Sequence, residues 1–297
     1  MARWVLIYVM IGLFNVATAQ ELEPRSYSVI PKGFNMIGVS STFSQGNVVT
    51  DATLPISDLK LTSLTFGALY VRSFNFLGKL AKVQMILPYT FIEGSVKING
   101  VDTAASRSGF ADARIKLGVN LIGSPPMAPK DFVRFNEESV LGASFVISVP
   151  TGMYLPAKLI NIGSNRWGFK PEVGFSHRSG PFYLEVYAGV WFFTRNDAYM
   201  KTSELQQAPI FSFQAHVSHI FPKKNWVAVN GGYANGGQTS VNGSEMNNFQ
   251  KNWRVGATYS HPLNKHSSLR ALLNTGVATR AGGDFTSFTL SYQYGWF

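Results

Sequence analysis

The chain has 297 residues, a formal net charge of +10 and no cysteine. The last point excludes a disulfide framework, a thiolate metal site and a cysteine nucleophile. Charged residues make up only 14% of the chain, against ~25% in ordinary soluble domains, while aromatics also reach 14% and glycines number 28.

In chain order, the first element is a leader. Arg3 supplies a positive n-region, Trp4–Phe14 an apolar stretch, and Ala17-Thr18-Ala19 a small-residue cleavage site before Gln20. The apolar stretch is far short of the ~20 residues that a spanning helix needs. Residues 1–19 are therefore expected to be a secretory signal peptide, cleaved at about Ala19. No later segment has the apolar run of a spanning helix. An exported chain with few charges, many aromatics and no such helix has one main membrane solution, a closed β-barrel.

Twelve segments with a two-residue period follow. They are Gly33–Gln45, Leu61–Asn75, Lys79–Phe91, Phe110–Ile122, Ser139–Val149, Arg166–His177, Phe182–Thr194, Ala208–Phe221, Trp226–Ala234, Asn252–His261, Leu269–Arg280 and Asp284–Phe297. In the seventh, Leu184, Val186, Ala188, Val190 and Phe192 stand opposite Glu185, Tyr187 and Gly189. In the tenth, Trp253, Val255, Ala257 and Tyr259 stand opposite Arg254, Gly256, Thr258 and Ser260. The second is less clean, because Arg72 shares a side with Leu64, Phe66 and Tyr70; a bulge or a snorkelling arginine would explain it. The last strand ends on Phe297, out of phase with Trp296 and Tyr294, so a register irregularity is expected there. The fold class is all-β: a closed antiparallel transmembrane barrel of about 12 strands over residues 33–297, preceded by an N-terminal periplasmic segment at residues 20–32. A barrel of this size can be filled by its own side chains or plugged by that segment, Gln20–Pro31.

A soluble sandwich or lipocalin-like barrel would put the apolar face inward. Three features favour the inverted arrangement. The polar face is rich in Gly, Ser, Thr and Asn mixed with both charge signs. Aromatics cluster toward strand ends as interfacial girdles do, with Tyr89, Trp167 and Phe192 at one rim and Phe221, Trp226, Tyr294 and Trp296 at the other. Twelve strands would also make a very large soluble barrel. Short turns at Phe76–Gly78, Arg178–Pro181, Pro222–Asn225 and Pro262–Ser267 alternate with longer loops at Gly46–Lys60, Ile92–Gly109, Pro150–Asn165, Arg195–Gln207 and Asn235–Lys251. That is the pattern of periplasmic turns and outer loops. Gly123–Glu138 is a long exception on the turn side, either an ordinary loop or a short helix near Lys130–Phe135 over the barrel mouth. Asn99-Gly100 and Asn242-Gly243 are hairpin signals.

On the polar face, Lys82, Arg114, Lys116, Arg166, Lys170, Arg254 and Arg270 outnumber Asp112, Glu172 and Glu185. These are the candidate lumen-lining residues, read first as a structural charge network. Asp112 and Arg114 could pair with each other, or with Glu172 or Glu185. A barrel enzyme acting on lipid would need a base and a nucleophile on one face. Two His-x-Ser pairs, His177/Ser179 and His216/Ser218, offer that spacing only weakly. His216 and His219 face opposite ways, and no P-loop, dinucleotide or zinc motif occurs. No catalytic residue, cofactor, metal or nucleic-acid partner is expected.

The final strand resembles the last strand of bacterial outer-membrane barrels, which tend to end on an aromatic residue. A more specific match lies in Leu87-Pro88-Tyr89, Ser108–Gly118 (SGFADARIKLG) and Ser148–Gly174 (SVPTGMYLPAKLINIGSNRWGFKPEVG). Together these resemble the outer-membrane transporter family named after the meta-pathway of phenol degradation, over most of the mature chain. The resemblance implies a cell outer-membrane barrel that passes or binds small, often hydrophobic molecules. It also implies a last strand that the barrel-assembly machinery reads, and a wall set in outer-membrane lipid. The expectation is a transporter or pore for small aromatic, hydrophobic or anionic solutes. A lipid-hydrolysing barrel enzyme and a non-transporting structural barrel are the alternatives.

Overall fold

A computed structural model describes residues 22–49, 56–98, 101–158 and 161–297. The leader at residues 1–19 and the turn signal at Asn99-Gly100 lie outside the described residues. The strands are β1 (Asn35–Val49), β2 (Ile56–Phe76), β3 (Lys79–Ile98), β4 (Val101–Phe110), β5 (Ala113–Ile122), β6 (Ser139–Val149), β7 (Gly168–Ser179), β8 (Phe182–Phe193), β9 (Asn196–Tyr199), β10 (Ser203–Gln207), β11 (Ile210–Ile220), β12 (Trp226–Gly236), β13 (Thr239–Val241), β14 (Ser244–Glu245), β15 (Gln250–Pro262), β16 (Ser267–Ala278) and β17 (Gly282–Trp296).

The main sheet runs β2-β1-β17-β16-β15-β12-β11-β8-β7-β6-β5-β3 and closes through β2–β3. Every pairing is antiparallel. β4 and β5 share one position in the wall. β4 pairs with the outer half of β3, from Tyr89↔Phe110 to Ile98↔Val101, and β5 with its inner half, from Ala81↔Val119 to Ile86↔Arg114. The barrel thus has twelve positions, one of them broken at Ala111-Asp112. The twelve-position wall closes on itself, the condition a sheet must meet in hydrocarbon, while β4, paired in the sheet with β3, keeps one open side.

The two faces sort opposite to a soluble barrel. The exposed side is apolar: Val39 is 60% exposed, Trp253 51% and Leu290 48%. The buried side carries Ser144, Lys170, Glu172, Glu185, Gln214, His216, Asn230, Asn252 and Thr258. This is the alternation a lipid-facing wall around a polar lumen requires. Trp226 departs from the expected girdle. It is buried and carries the Arg270 guanidinium 5.2 Å from its ring centre, so it faces inward.

The seam is regular. β1 pairs with β17 from Asn35↔Trp296 to Val49↔Gly282 without a shift. The irregularity expected there is absent, because Phe297 lies past the ladder and packs edge-on against Phe34, with ring centres 5.6 Å apart. Arg72 lies opposite Asn35 in an unshifted β1–β2 ladder, exposed on the outer face near the β2–β3 turn. No bulge accompanies it, which leaves the snorkelling placement.

The outer side differs most from expectation. β2 and β3 continue as strands through much of the expected loops 46–60 and 92–109. Their inward residues Leu59, Leu61, Ile92 and Val96 bury with Val48 against Ile162, Met246 and Phe285. Each such fully buried aliphatic side chain contributes about 1.5–3 kcal/mol. Within the expected loops at 195–207 and 235–251, β14-β13-β10-β9 form a small second sheet. Asn242 and Gly243 both have positive φ, +49° and +82°, as a two-residue hairpin turn needs. On the opposite side, the long connection after β5 holds one helical turn, α1 (Pro129–Phe132).

Candidate functional site

The lumen is occupied by the chain's own N-terminal segment. Leu22–Lys32 runs inside the wall, not below it in the periplasm. Tyr27 and Val29 are buried there with Leu80, Val140 and Tyr187. Met127, Phe132 and Phe135 of the α1 connection pack against this cluster at the mouth, and Lys32 N donates to Met127 O at 2.8 Å.

Glycine makes room for the segment. A Cβ placed on Gly142 would lie 2.2 Å from Tyr27 Cδ1, and one on Gly174 2.1 Å from Tyr27 Cε2. Leu22 sits likewise over Gly232 and Gly256, at 2.9 and 3.0 Å from such a Cβ. Wall side chains then satisfy the segment's backbone, as burial of polar groups demands. Arg25 N donates to Glu185 Oε2 at 2.8 Å, Glu23 N to Gln214 Oε1 at 3.1 Å, and Ser26 N to the Tyr187 hydroxyl at 3.2 Å. Lys82 Nζ donates to Ser26 O at 2.7 Å and Ser28 O at 3.2 Å, and Asn120 Nδ2 to Tyr27 O at 3.2 Å.

A charge network joins segment to wall. Lys116 Nζ lies 2.8 Å from Glu23 and 3.5 Å from Glu172, which lies 3.0 Å from Lys170. The Tyr27 hydroxyl donates to Glu172 Oε1 at 3.2 Å and meets Ser144 Oγ at 3.0 Å. The field of Lys116 holds the Glu23 carboxyl down to about 2, against the opposing effect of burial. Burial, and then the charge of Glu172, push the Tyr27 phenol up.

Two cavities flank this plug. The one nearer the mouth with the short turns, about 460 Å³, is lined by the segment itself with Lys82, Lys116, Trp226 and Arg270. The outer one, about 250 Å³, is lined by Arg114, Arg166, Ile92, Ile162, Phe193 and Ile210. Between them lies a narrow gap of about 10 Å³ among Glu23, Gln84, Ile86, Arg114, Lys116, Val146 and Lys170. Of the residues lining this gap, Glu23 belongs to the N-terminal segment and the others to wall strands.

The outer cavity is roofed by the connection after β6, of which Asn161, Ile162, Gly163 and Ser164 line it. Asp112, at the β4/β5 break, holds them. It accepts from Gly152 N at 2.9 Å, Ser164 N at 2.9 Å and Ser164 Oγ at 2.6 Å. These roof contacts of Asp112 are not among the pairings weighed from the sequence. Asn196 ties the roof to β9 through Tyr154 and Ser164.

The ten candidate lumen residues therefore divide. Lys82, Lys116, Lys170, Glu172 and Glu185 belong to the plug and its network. Asp112, Arg114 and Arg166 belong to the outer cavity and its roof. Arg270 stacks on Trp226 by the inner cavity. Arg254 donates to Asn274 at 3.0 Å in a side cavity of about 160 Å³. The His-x-Ser pairs are not joined: His177 meets Ser139 at 2.8 Å and His216 meets Asn230 at 2.9 Å. Sequence reasoning missed the seat formed by Gly142, Gly174, Gly232 and Gly256. Its trace was glycine recurring in lumen phase on several strands.

The model of a family described as "Putative MetA-pathway of phenol degradation" matches residues 41–290. An outer membrane channel from Pseudomonas putida F1, known from its crystal structure, superposes with a TM-score of 0.80 at 18% identity, over 93% of this chain and 100% of that one. The transport unit of the autotransporter AIDA-I from Escherichia coli follows at 0.52 and 9%, over 91% and 94%. The beta domain of the Bordetella autotransporter BrkA gives 0.50 and 13%, over 89% and 100%. No curated protein matches the chain. At these identities the likeness establishes the fold, an outer-membrane-type barrel.

Proposed function

Because the chain belongs to that phenol-degradation family, we propose that it is an outer-membrane channel for small solutes, closed at rest by its own N-terminal segment. One observation carries the reading. Two cavities face opposite ends of the barrel and meet at a gap whose removable wall includes Glu23. A solid structural barrel has no need of cavities on both sides of a segment held by polar contacts.

In this reading residues 1–19 are the export leader, the wall sits in outer-membrane lipid, and the assembly machinery reads β17. The ten charged residues line the path or hold its plug. Mixed walls of Ile, Phe, Arg and Lys suit small solutes that are partly apolar or anionic. The Pseudomonas channel supports the reading through its fold.

The experiment is reconstitution in planar bilayers of the parent and of a variant lacking residues 22–31. The parent should conduct little or intermittently, and the variant should conduct steadily. No conductance from either, with no solute uptake into liposomes, would sink the channel reading.

A further inference from the structure

The outer cavity holds a charge whose hydrogen bonds are not met. Arg166 is 3% exposed. Its Nη2 donates to Gln207 Oε1 and its guanidinium lies 4.5 Å from the centre of the Phe193 ring. Its Nε and Nη1 are buried and reach no acceptor. The charge of Asp112 acts on Arg166 from a distance, while the Asp112 oxygens accept hydrogen bonds from Gly152 and Ser164. Arg114 lines the same cavity from β5. Two buried donors of Arg166 that reach no acceptor leave room for one further acceptor, and a negative one suits a guanidinium best.

The rest of the cavity defines that ligand's body. Ile92, Ile162, Ile210 and Phe193 give it apolar sides. Its volume, about 250 Å³, lies below the usual range of drug-sized pockets, which excludes a sugar oligomer or a lipid. A guanidinium recognises a planar carboxylate by matched geometry as well as by charge. We propose that the outer cavity is a binding site for a small monocarboxylate with an apolar body, a single-ring aromatic acid being the type case. Arg166 and Arg114 hold the carboxylate, and the isoleucines and Phe193 hold the ring. The unpartnered Gln250 Oε1, which also lines the cavity, offers an acceptor to a ring hydroxyl. The site deepens the channel reading, since it would be the first stop for a solute arriving from outside.

Equilibrium titration of the purified full barrel in detergent tests it, with benzoate as probe and benzamide as its uncharged counterpart. Benzoate should bind, and benzamide should bind at least tenfold more weakly. Arg166→Gln should lose at least tenfold in benzoate affinity. Ile162→Trp, a change on the roof and not on a strand, should lose it by filling the cavity while the barrel stays folded. Equal binding of the two probes, no benzoate binding, or unchanged affinity in both variants would overturn the proposal. Titration does not depend on conduction. Binding with no conductance from parent or plug-less variant and no liposome uptake would spare the site and sink the channel; conductance without binding would do the reverse.

Discussion

Replacing Gly174 with alanine should unseat the plug. The new methyl would lie 2.1 Å from Tyr27 Cε2, 2.5 Å from Cδ2 and 2.8 Å from Tyr187 Cδ1, so the Tyr27 ring has to leave. Full burial of a large side chain stabilises by about 1.5–3 kcal/mol, and its hydrogen bond to a charged group such as Glu172 by about 1.5–3 kcal/mol more. Taking about 3 kcal/mol as the lower end of the loss, and tenfold per 1.4 kcal/mol, the ratio of released to seated segment should rise about a hundredfold. The chain has no cysteine, so Ser28→Cys supplies one reporter on the segment. Its labelling by a bulky maleimide in detergent measures release, with heat-modifiable migration on gels to confirm a folded barrel. Gly231→Ala is the control, because a Cβ there meets only Ala215 O at 3.9 Å. Adding Gly142→Ala should contribute little more, since both glycines seat one ring. A folded Gly174→Ala barrel that labels at the parent's rate would refute the argument.

Acid should also release the segment. Glu23 is held at about 2 when seated, below its ordinary 4.5, so its contribution is present above the ordinary value and is lost as pH falls through it toward about 2. Bilayer conductance should rise over that window, and Glu23→Gln should raise it at neutral pH and flatten the response. Glu172→Gln leaves Lys170 and Lys116 buried without their shared partner and should cost about 3–5 kcal/mol, read as a lower denaturant midpoint. Asp112→Asn weakens three bonds to the roof, charge-assisted ones being worth about 1.5–3 kcal/mol each. It should speed proteolysis at Lys158 without lowering the barrel's midpoint.

The legible parts of this fold were those where lipid imposes a pattern. The sequence marks β6 to the residue, Ser139–Val149, because an apolar surround on one side and a polar lumen on the other force strict alternation. β4 was missed for the converse reason. Val101–Phe110 lies beyond the lower wall and is mostly exposed, so its sequence, VDTAASRSGF, has no apolar face to display. Trp226 looks lipid-facing in the sequence because aromatics at strand ends usually sit at the interface; its partner, Arg270, is distant in sequence. Asp112 was recognised as a site residue, but its partners depend on how the roof folds. The plug could be named as a possibility only, because its hold rests on tertiary fit between Tyr27 and glycines more than a hundred residues away.

The regular seam between β1 and β17 also orders events during assembly. Among the described residues, the plug and β1 stand first in the chain and β17 last. The glycine seat is spread over β6, β7, β12 and β15, so the segment must wait unbound while most of the wall is built. Its docking and the closing of the ring are both contacts of very long sequence separation, the slowest class to form. A chain truncated before β15 would lack the Gly256 half of the Leu22 seat as well as the strand that closes the ring. Full seating of Leu22 therefore requires β15, a strand more than two hundred residues further along the chain.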